Sequence, residues 1–368
     1  MLLIKTEKEA LLAPLQSVCG IVEKRHTLPI LSNVLIEKND SNLTLLATDI
    51  EIQIKTIAHG AAPGESTAIT VGARKLLDIL RSLPDSSNIS LMVEDKRMQV
   101  RSGKSRFNLQ TLPAADYPRM AQAGGEQTQL QLSQKRFRHL LSLVQFAMAQ
   151  QDIRYYLNGL LLVTAGNELR AIATDGHRLA YAAMTLEAEL PRTEVILPRK
   201  TVIELSRLLG DNDNPLNIQL SANQALFRFE EIELVSKLID GKFPDYERVI
   251  PKGHDKTLRL SRAQLLQSLS RAAILTNEKF RGVRLVLAEG SLKIISTNAE
   301  QEEAQEELEI AYSGEALDIG FNITYLLDVL NNVSADEIDC HLADANSSAL
   351  ITLPKDESFK YVVMPMRI

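Results

Sequence analysis

One order of helix and strand patterns recurs three times along this sequence. Each copy begins with apolar residues at helical spacing, such as Leu265, Leu266 and Leu269, and continues into alternating strand patterns. The turn between the strands reads TDIE in the first copy, TDGH in the second and TNAE in the third, at intervals of 126 and 123 residues. A long, regular period of this kind indicates a repeated domain. One fold must therefore serve all three copies.

A second helix pattern in each copy recurs at nearly the same intervals as the turns. The patterns ARKLLDILRSLP, PRKTVIELSRLLG and NITYLLDVLNNVS, counted from Arg74, Arg199 and Asn322, are spaced by 125 and 123 residues. In the first copy, the strands are placed at ILSNVLIE and LTLLATDIEIQI. Each domain is expected to be α+β, with two helices packed on antiparallel sheets. The predicted domains, with boundaries in the polar stretches AQAGGEQTQ and IPKGHDKT, are residues 1–125, 126–252 and 253–368.

Composition narrows the class of protein. The 368 residues carry a net charge of −6, which argues against coating nucleic acid by bulk charge but allows basic residues gathered on one surface. Two cysteines, Cys19 and Cys340, form no CxxC pair and suit a reducing compartment. The N-terminus meets charges after four residues, and no apolar run has the length of a membrane span. We expect a cytoplasmic protein.

The pair Asp175 and His177 in ATDGHRLA could be read as a catalytic acid and base. The other two copies place TDIE and TNAE at the same turn, so a catalytic pair would have to be an addition to one copy. The sequence also contains no phosphate-binding loop, HExxH motif, zinc-spaced cluster or GxSxG elbow. We therefore predict a structural turn, no catalytic residues, no metal and no cofactor, and we keep an enzyme as the alternative.

Several segments together carry a resemblance to a known family. They are RYYLNG, ATDGHRLA, DGKFPDYERVIP and the terminal YVVMPMRI, supported by HTLPILSN, SRFNLQTLPAADYP and NEKFRGVRL. The chain closely resembles the bacterial DNA polymerase III beta subunit family, the replicative sliding clamps, over its whole length. The resemblance implies a DNA clamp fold, a head-to-tail homodimer closed into a ring, and no catalysis.

The resemblance also implies partners. They are double-stranded DNA bound without sequence preference, the DNA polymerase III catalytic subunit, the clamp-loader complex, and other polymerases, ligase and mismatch-repair proteins that carry clamp-binding motifs. No membrane partner is implied. A second alternative is a DNA-associated scaffold that binds peptides without encircling DNA, and it predicts a monomer.

The predicted DNA contacts combine the family's positions with basic residues on or beside the repeat helices. For any single basic residue, an ordinary solvated helix charge is the competing interpretation. The tyrosines are expected near the exit of the hole, where they could stack on exposed bases or be packed as partly buried side chains. The set is Arg25, Arg74, Lys75, Gln151, Tyr155, Tyr156, Arg199, Lys200 and Arg207.

The resemblance further implies a cleft between the second and third domains, in which partners insert a short extended motif containing a glutamine and paired hydrophobic residues. Routine core packing is the alternative for Met364 and Met366. Glu247 and Asn346 depart from the residues expected beside the cleft, so their effect on its specificity stays open. The matching positions are Arg154, Tyr156, Leu157, Thr174, Gly176, His177, Arg178, Leu179, Pro244, Val249, Asn322, Tyr325, Val362, Met364, Pro365, Met366 and Arg367.

The family's dimer contact joins the first domain of one chain to the third domain of the other. It maps onto Phe107 and Leu109 on one side, and onto Ile274 and Leu275 on the other. Basic residues lie beside the first pair and an acidic run belongs to the third copy, which is the asymmetry that a head-to-tail contact requires.

Overall fold

The computed structural model describes residues 1–23, 28–121 and 124–368. Within these ranges the chain forms seven α-helices and 22 β-strands. Its internal contacts divide it into two compact units. Unit 1 contains Met1–Arg136 and Glu204–Leu238, and unit 2 contains Phe137–Ile203 and Ile239–Ile368.

Unit 1 contains one antiparallel sheet of twelve strands. Alternating burial along its strands, as at Leu216, Ile218 and Leu220, gives the sheet one apolar face for the core. From edge to edge the strands are β1 (Leu2–Glu7), β6 (Asn88–Glu94), β7 (Arg97–Ser102), β8 (Ser105–Pro113), β5 (Thr67–Gly72), β2 (Asn33–Asn39), β3 (Asn42–Thr48), β4 (Ile52–His59), β14 (Ile232–Lys237), β13 (Gln224–Phe229), β12 (Pro215–Leu220) and β9 (Thr128–Ser133).

Unit 2 contains a sheet of six strands and a sheet of four strands. The first has the order β10 (Gly159–Thr174), β11 (Arg178–Pro198), β22 (Asp356–Val363), β21 (Ala349–Leu353), β20 (Glu337–Leu342) and β15 (Lys256–Ser261). The second has the order β18 (Glu303–Glu309), β17 (Ser291–Thr297), β16 (Gly282–Ala288) and β19 (Leu317–Asn322).

The helices include the two that each copy was predicted to contain. The predicted strand at ILSNVLIE starts later than expected, at Asn33, because Pro29–Ser32 forms a 3-10 turn. Proline fixes φ and lacks an N–H, which suits the first turn of a helix better than a strand. The helices are α1 (Lys8–Cys19), α2 (Ala73–Ser82), α3 (Gln134–Ser142), α4 (Arg199–Leu208), α5 (Tyr246–Val249), α6 (Arg262–Ala272) and α7 (Ile323–Asn332).

The turn that marked the repeat in the sequence is capped by its own Asp or Asn side chain in each copy. Asp49 Oδ1 accepts bonds from the backbone nitrogens two and three residues later, at 2.9 and 2.8 Å. Asp175 Oδ1 does the same at 2.9 and 3.1 Å. Asn298 Oδ1 accepts from the nitrogens of Glu300 and Glu302 at 3.1 and 2.9 Å. A short side chain that caps its own turn explains why only Asp or Asn occurs here.

The strand order also repeats. The sheets β1-β6-β7-β8, β9-β12-β13-β14 and β15-β20-β21-β22 share one pattern of connections, and β5-β2-β3-β4 matches β19-β16-β17-β18. In the second copy, the long strands β10 and β11 take the place of the latter set. The prediction of three repeated α+β domains on antiparallel sheets is therefore confirmed.

Successive copies are joined where a strand of one copy pairs with a strand of the next. In unit 1, β4 pairs with β14 from Ile52↔Ser236 to Lys55↔Glu233. In unit 2, the start of β11 pairs with β22 from Arg178↔Val363 to Ala182↔Phe359. In both cases, the strand that follows the repeated turn meets the last strand of the next copy. Because β14 extends the sheet of the first copy, the strands β9, β12, β13 and β14 of the second copy belong to unit 1.

No helix within the described ranges is both long enough and apolar enough to cross a lipid bilayer.

Candidate binding cleft

Unit 2 contains a cavity of about 440 Å³ beside the repeated turn of the second copy. Most of the residues that were predicted to form the cleft line it. Ser348, which precedes β21, also lines it and was not predicted. The lining residues are Arg154, Tyr156, Leu157, Thr174, Gly176, His177, Arg178, Leu179, Pro244, Val249, Ser348, Val362 and Met364.

The floor of the cavity is apolar and belongs to the core. Leu157, Leu179 and Val362 are each 1% exposed and pack in one cluster with Phe243 and Tyr246. This floor is rigid because its side chains are fixed by neighbours that are themselves buried.

Two apolar residues on the rim of the cavity remain open to water. Val249 is 44% exposed and Met364 is 50% exposed. An apolar side chain that entered here would cover both rim residues, and methionine adapts its shape to different guests. The cavity is therefore suited to a leucine or phenylalanine side chain of a partner.

The turn Thr174–Arg178 forms one wall. Gly176 has φ of +90°, which glycine adopts readily. A Cβ at this position would lie 2.8 Å from Nη1 of Arg154. The Arg154 guanidinium lies close against the turn and donates to the carbonyl oxygen of Asp175 at 3.1 Å. Glycine therefore suits the backbone conformation and leaves room for Arg154 to lie close against the turn.

The loop that carries Arg154 is closed by hydrogen bonds. The backbone nitrogen of Asp152 donates to Asn158 Oδ1, and Asn158 Nδ2 donates to the Asp152 carbonyl oxygen, both at 2.9 Å. Hydrogen bonds from the Arg154 side chain and backbone lower the pKa of Asp152 to about 2. The Asp152–Arg154 ion pair therefore persists through the whole neutral and mildly acidic range.

The C-terminal segment enters the cavity only at Met364. The nitrogen of Met364 donates to the carbonyl oxygen of His177 at 2.9 Å, and the nitrogen of Met366 donates to that of Gly320 at 2.8 Å. The predicted cleft residues Pro365, Met366 and Arg367 are not among those that line the cavity. Beyond Met364, this segment follows β19.

Asn322 and Tyr325 also lie outside the cavity lining. Asn322 caps α7, with its Oδ1 accepting from the nitrogen of Thr324 at 2.9 Å. Tyr325 lines a neighbouring polar cavity of about 360 Å³, in which His177 and Arg178 also take part. Burial raises the pKa of Tyr325. Tyr325 connects α7 to the wall of the cleft through the Arg178 guanidinium, whereas Asn322 only caps the helix.

The Asp175 carboxylate is fully engaged in structural bonds. Its Oδ1 accepts from the backbone nitrogens of His177 and Arg178, and its Oδ2 accepts from Arg178 Nε at 3.1 Å. Asp175 and His177 are thus joined through the backbone rather than through the imidazole. This geometry fits a turn and not an acid–base pair, which requires a side-chain hydrogen bond that can move a proton.

Three arginines of the predicted DNA set have their guanidinium groups bound to backbone carbonyls. Arg74 donates to Val22 at 2.6 Å, Arg199 donates to Met148 at 3.1 Å, and Arg207 donates to Ser17 at 2.9 Å. Arg207 also pairs with Glu204. These bonds fix the direction of the charges, which still contribute to a positive surface through their remaining N–H groups.

The remaining predicted DNA residues differ in exposure. Lys75 and Gln151 are exposed, Lys200 is partly exposed, and Tyr155 is 57% exposed. Tyr156 is half-buried against the core cluster and lines the cleft. The rings of Tyr155 and Tyr156 pack edge to face, with their centroids 5.8 Å apart. Arg25 lies outside the described residues.

The predicted dimer residues lie on strand β8 and in a turn that follows α6. Phe107 and Leu109 are partly exposed alternate residues on β8, which is paired with β7 through Ser105–Gln110 and with β5 only beyond that point. Ile274 is 76% exposed and Leu275 is partly exposed, in a 3-10 turn that follows α6. Strand β18 is the last strand of its sheet.

Neither cysteine is suited to chemistry. Burial raises the pKa of the Cys19 and Cys340 thiols to about 12, so both remain protonated and weakly nucleophilic at neutral pH. Among the residues that the structure describes, no group of three His, Cys, Asp or Glu side chains is arranged to hold a metal ion.

The chain consists of three α+β repeats joined by strand pairing, and an open apolar cleft lies beside one junction. These features define a repeat protein with a binding site. Sequence models for the N-terminal, central and C-terminal domains of the DNA polymerase III beta subunit match residues 2–121, 131–245 and 247–367. The beta sliding clamp of Pseudomonas putida is 48% identical over 363 residues, which cover 98% of this chain and 99% of that protein. The beta sliding clamp of Escherichia coli K12 is 48% identical over 362 residues, with the same coverage.

Solved structures agree with the sequence comparison. The Pseudomonas aeruginosa sliding clamp bound to griselimycin matches with a TM-score of 0.94 and 46% identity over 100% of both chains. The Caulobacter crescentus beta sliding clamp matches with a TM-score of 0.93 and 38% identity, also over 100% of both chains. The chain therefore belongs to the DNA polymerase III beta subunit family and is a DNA sliding clamp.

Proposed function

We propose that this sliding clamp is a head-to-tail homodimeric ring that encircles double-stranded DNA and tethers partner proteins through the cleft. The observation that carries the proposal is the open apolar cavity at the β11–β22 junction, whose floor is rigid and whose rim is exposed. The partners are the DNA polymerase III catalytic subunit, the clamp-loader complex, other polymerases, ligase and mismatch-repair proteins. The chain catalyses no reaction and needs no metal or cofactor.

The cleft chemistry favours a short peptide over a small polar metabolite. Its floor offers Leu157, Leu179 and Val362 to an apolar anchor, while Arg154 and His177 offer polar contacts at its edge. An exposed Met364 beside this floor would be covered on binding, which supplies part of the driving force. A motif with a glutamine and paired hydrophobic residues matches this combination.

Fluorescence anisotropy of a labelled QLSLF peptide tests the cleft directly. We expect saturable binding to the intact chain and its loss when Met364–Ile368 is deleted. Because the deletion also removes the Met366–Gly320 bond, Met364→Lys provides a second variant at a half-exposed position, where folding should tolerate the change. Full affinity in both variants, or no binding to the intact chain, would refute the cleft as the tethering site.

The repeat supports a specific dimer contact. Within the chain, the strand after the repeated turn pairs with the last strand of the next copy, as β4 does with β14 and β11 does with β22. The corresponding strand of the third copy is β18, and the corresponding last strand of the first copy is β8. Both have an open edge, and they carry opposite charges, Glu303 and Glu306 on β18 and Arg106 on β8. A second copy of the chain can satisfy both edges in the same manner.

Sedimentation velocity tests this dimer. Ile274→Ala combined with Leu275→Ala is expected to yield monomer, because it removes apolar area beside the β18 edge. Ile153→Ala is the matched control, since Ile153 is 96% exposed and belongs to a different loop. A dimer mass that survives the double substitution would exclude this contact.

Encirclement has its own test, which separates a ring from a DNA-associated scaffold. After loading by a clamp loader and ATP, the protein should stay on circular DNA and be lost when the circle is cut. Retention on the linear product would favour the scaffold. The predicted DNA set, with Arg25, Lys75 and Gln151 among its members, would then hold DNA by a different geometry.

We also propose domain boundaries at 1–125, 126–252 and 253–368, and a cytoplasmic location. The proposed location follows from the DNA partner and from two buried thiols that form no disulfide.

A further inference from the structure

Arg178 is a buried charge at the base of the cleft wall. Only 9% of the residue is exposed, and it lies between His177 and Leu179, which both line the cavity. Its backbone is fixed at both ends of the turn, with its nitrogen donating to Asp175 and its carbonyl oxygen accepting from the Thr174 hydroxyl at 2.6 Å. Any change in the position of Arg178 therefore moves the wall of the cleft.

The guanidinium is held by several elements of unit 2 at once. It donates to Asp175 Oδ2 at 3.1 Å, to the carbonyl oxygen of Phe146 at 2.7 Å and to Asp328 Oδ2 at 2.5 Å. Its Cζ lies 4.5 Å from the centroid of the Tyr325 ring. Asp328 and Tyr325 both belong to α7, so one helix supplies a charge and an aromatic face to the same group.

The fold does not need an arginine at this place. The equivalent residue of the first copy is Ile52, which is 1% exposed and follows the same turn. An apolar side chain is thus sufficient for the turn and for its junction with the next strand. The arginine of the second copy, with its partners on α7, serves something that the first copy lacks.

Asp328 is one of the groups that stabilise the buried positive charge of Arg178. Burial opposes the charged form of Arg178, but Tyr361, Asp328 and Asp175 outweigh that effect and raise the pKa of Arg178. Asp175 is already bound by the backbone nitrogens of the turn, whereas the Asp328 side chain is 33% exposed and comes from outside the turn. Without Asp328, the guanidinium would lose its ion pair with α7 and would keep only the Tyr325 ring as a contact from that helix.

We propose that Asp328, which lines neither cavity, is a positioning residue for peptide binding. By holding Arg178 over Tyr325, it fixes the Thr174–Arg178 wall in the shape that receives the apolar side chain. The inference rests on the proposed binding of partner peptides in the cleft. Preorganisation of this kind increases affinity because the wall need not be ordered when the peptide arrives.

The first experiment compares QLSLF affinity in the full-length wild type, Asp328→Asn and Asp328→Glu. We expect about a tenfold loss for Asn, equal to about 1.4 kcal/mol, and recovery of at least part of it for Glu, which restores the charge. Asp318→Asn is the matched control, because Asp318 pairs with Arg284 elsewhere in unit 2. Wild-type affinity in Asp328→Asn, or an equal loss in the control, would overturn the inference.

A double-mutant cycle separates positioning from general stability. In an Arg178→Met background, Asp328→Asn should weaken binding no further, because its effect passes through the guanidinium. An additive loss would show that Asp328 acts by another route and would overturn the inference.

Two further outcomes are distinguishable. Failure of the wild type to bind peptide would refute the proposed function itself. If calorimetry showed that Asp328→Asn does not fold, Tyr325→Leu would be measured instead, since it removes the other α7 contact to the guanidinium. Its expected result is a severalfold loss of affinity, and unchanged affinity would overturn the inference.

Discussion

The turns at Thr48 and Thr174 have the same backbone but different surroundings. In the first copy, the nitrogen of Lys237 donates to the carbonyl oxygen of Glu51 at 2.9 Å, and in the second the nitrogen of Met364 donates to that of His177 at the same distance. At the first turn, the Lys237 ammonium also pairs with the Glu51 carboxylate at 3.1 Å. At the second, the equivalent methionine is half exposed on the rim of a cavity.

A few substitutions account for this difference. Ile50 of the first turn corresponds to Gly176 of the second, and Gln53 corresponds to Leu179. The Gln53 side chain accepts a hydrogen bond from the nitrogen of Met120, whereas Leu179 forms part of the apolar floor. Repetition supplied the scaffold, and different side chains on a shared backbone created the site.

The largest effect is expected from Leu179→Gln, which gives the second junction the residue of the first. The new amide would be buried among Leu157 and Val362, so we expect a loss of about 2–4 kcal/mol in stability and at least a hundredfold weaker QLSLF binding. Chemical denaturation and anisotropy measure the two effects. Leu179→Met keeps the volume and should retain binding. Tight binding by the Gln variant would show that the floor need not be apolar.

Gly176→Ile should have the next largest effect. An isoleucine at φ of +90° is strained by about 1–3 kcal/mol, and its Cβ would lie 2.8 Å from Arg154 Nη1. We expect about tenfold weaker peptide binding by titration calorimetry. Adding Arg154→Ala removes the close contact but not the strain, so it should restore only part of the stability. Unchanged affinity in the single variant would mean that the turn does not shape the cleft.

The opposite substitution in the first copy should stabilise the chain. Ile50 has φ of +74°, a left-handed conformation that is costly for a β-branched residue. We expect Ile50→Asn to gain about 0.5–1 kcal/mol and raise the thermal midpoint by about 1–3 °C, because asparagine tolerates this region. Ile50→Ala keeps a Cβ without the amide and should gain less. A lower midpoint for Asn would reveal a packing role for Ile50.

The smallest effect is expected from Lys237→Met, which copies the rim residue of the cleft. The Lys237–Glu51 pair is exposed at both side chains, so its loss should change stability by no more than about 0.5 kcal/mol. Binding of QLSLF should stay at one site per chain in titration calorimetry. A second binding site would show that a methionine at the rim is enough to create a cleft, contrary to the comparison.

Much of the fold was predictable because its signals are local. The turn motifs, the helix patterns and the alternation of strands each arise from residues within about ten positions of one another. The merging of strands into β10 and β11 and the late start of β2 at Asn33 were not predicted. The merging depends on which strands pair in the fold. The late start of β2 depends on a proline turn, which the alternation of apolar and polar residues does not indicate.

For the candidate cleft, some predicted residues line the cavity and others lie outside it. Its floor and turn followed from the family resemblance, whereas Pro365, Met366 and Arg367 follow β19 instead of lining the cavity. Ser348 was missed because nothing in its neighbourhood distinguishes a cleft wall from a surface loop. Its carbonyl oxygen lies 3.0 Å from His254 Nε2, a contact between residues 94 positions apart.

The sequence by itself determined the repeat, the capped turns and the alternation that makes each sheet one-sided. Only the tertiary structure decided which charges are committed to internal bonds and which remain free to act. Arg74 and Arg207 read as surface charges in the sequence, yet each is bound to a carbonyl oxygen of another segment. Arg178 meets Asp328 across 150 positions. A charged side chain looks the same in any sequence, because its role depends on the partner that folding brings to it.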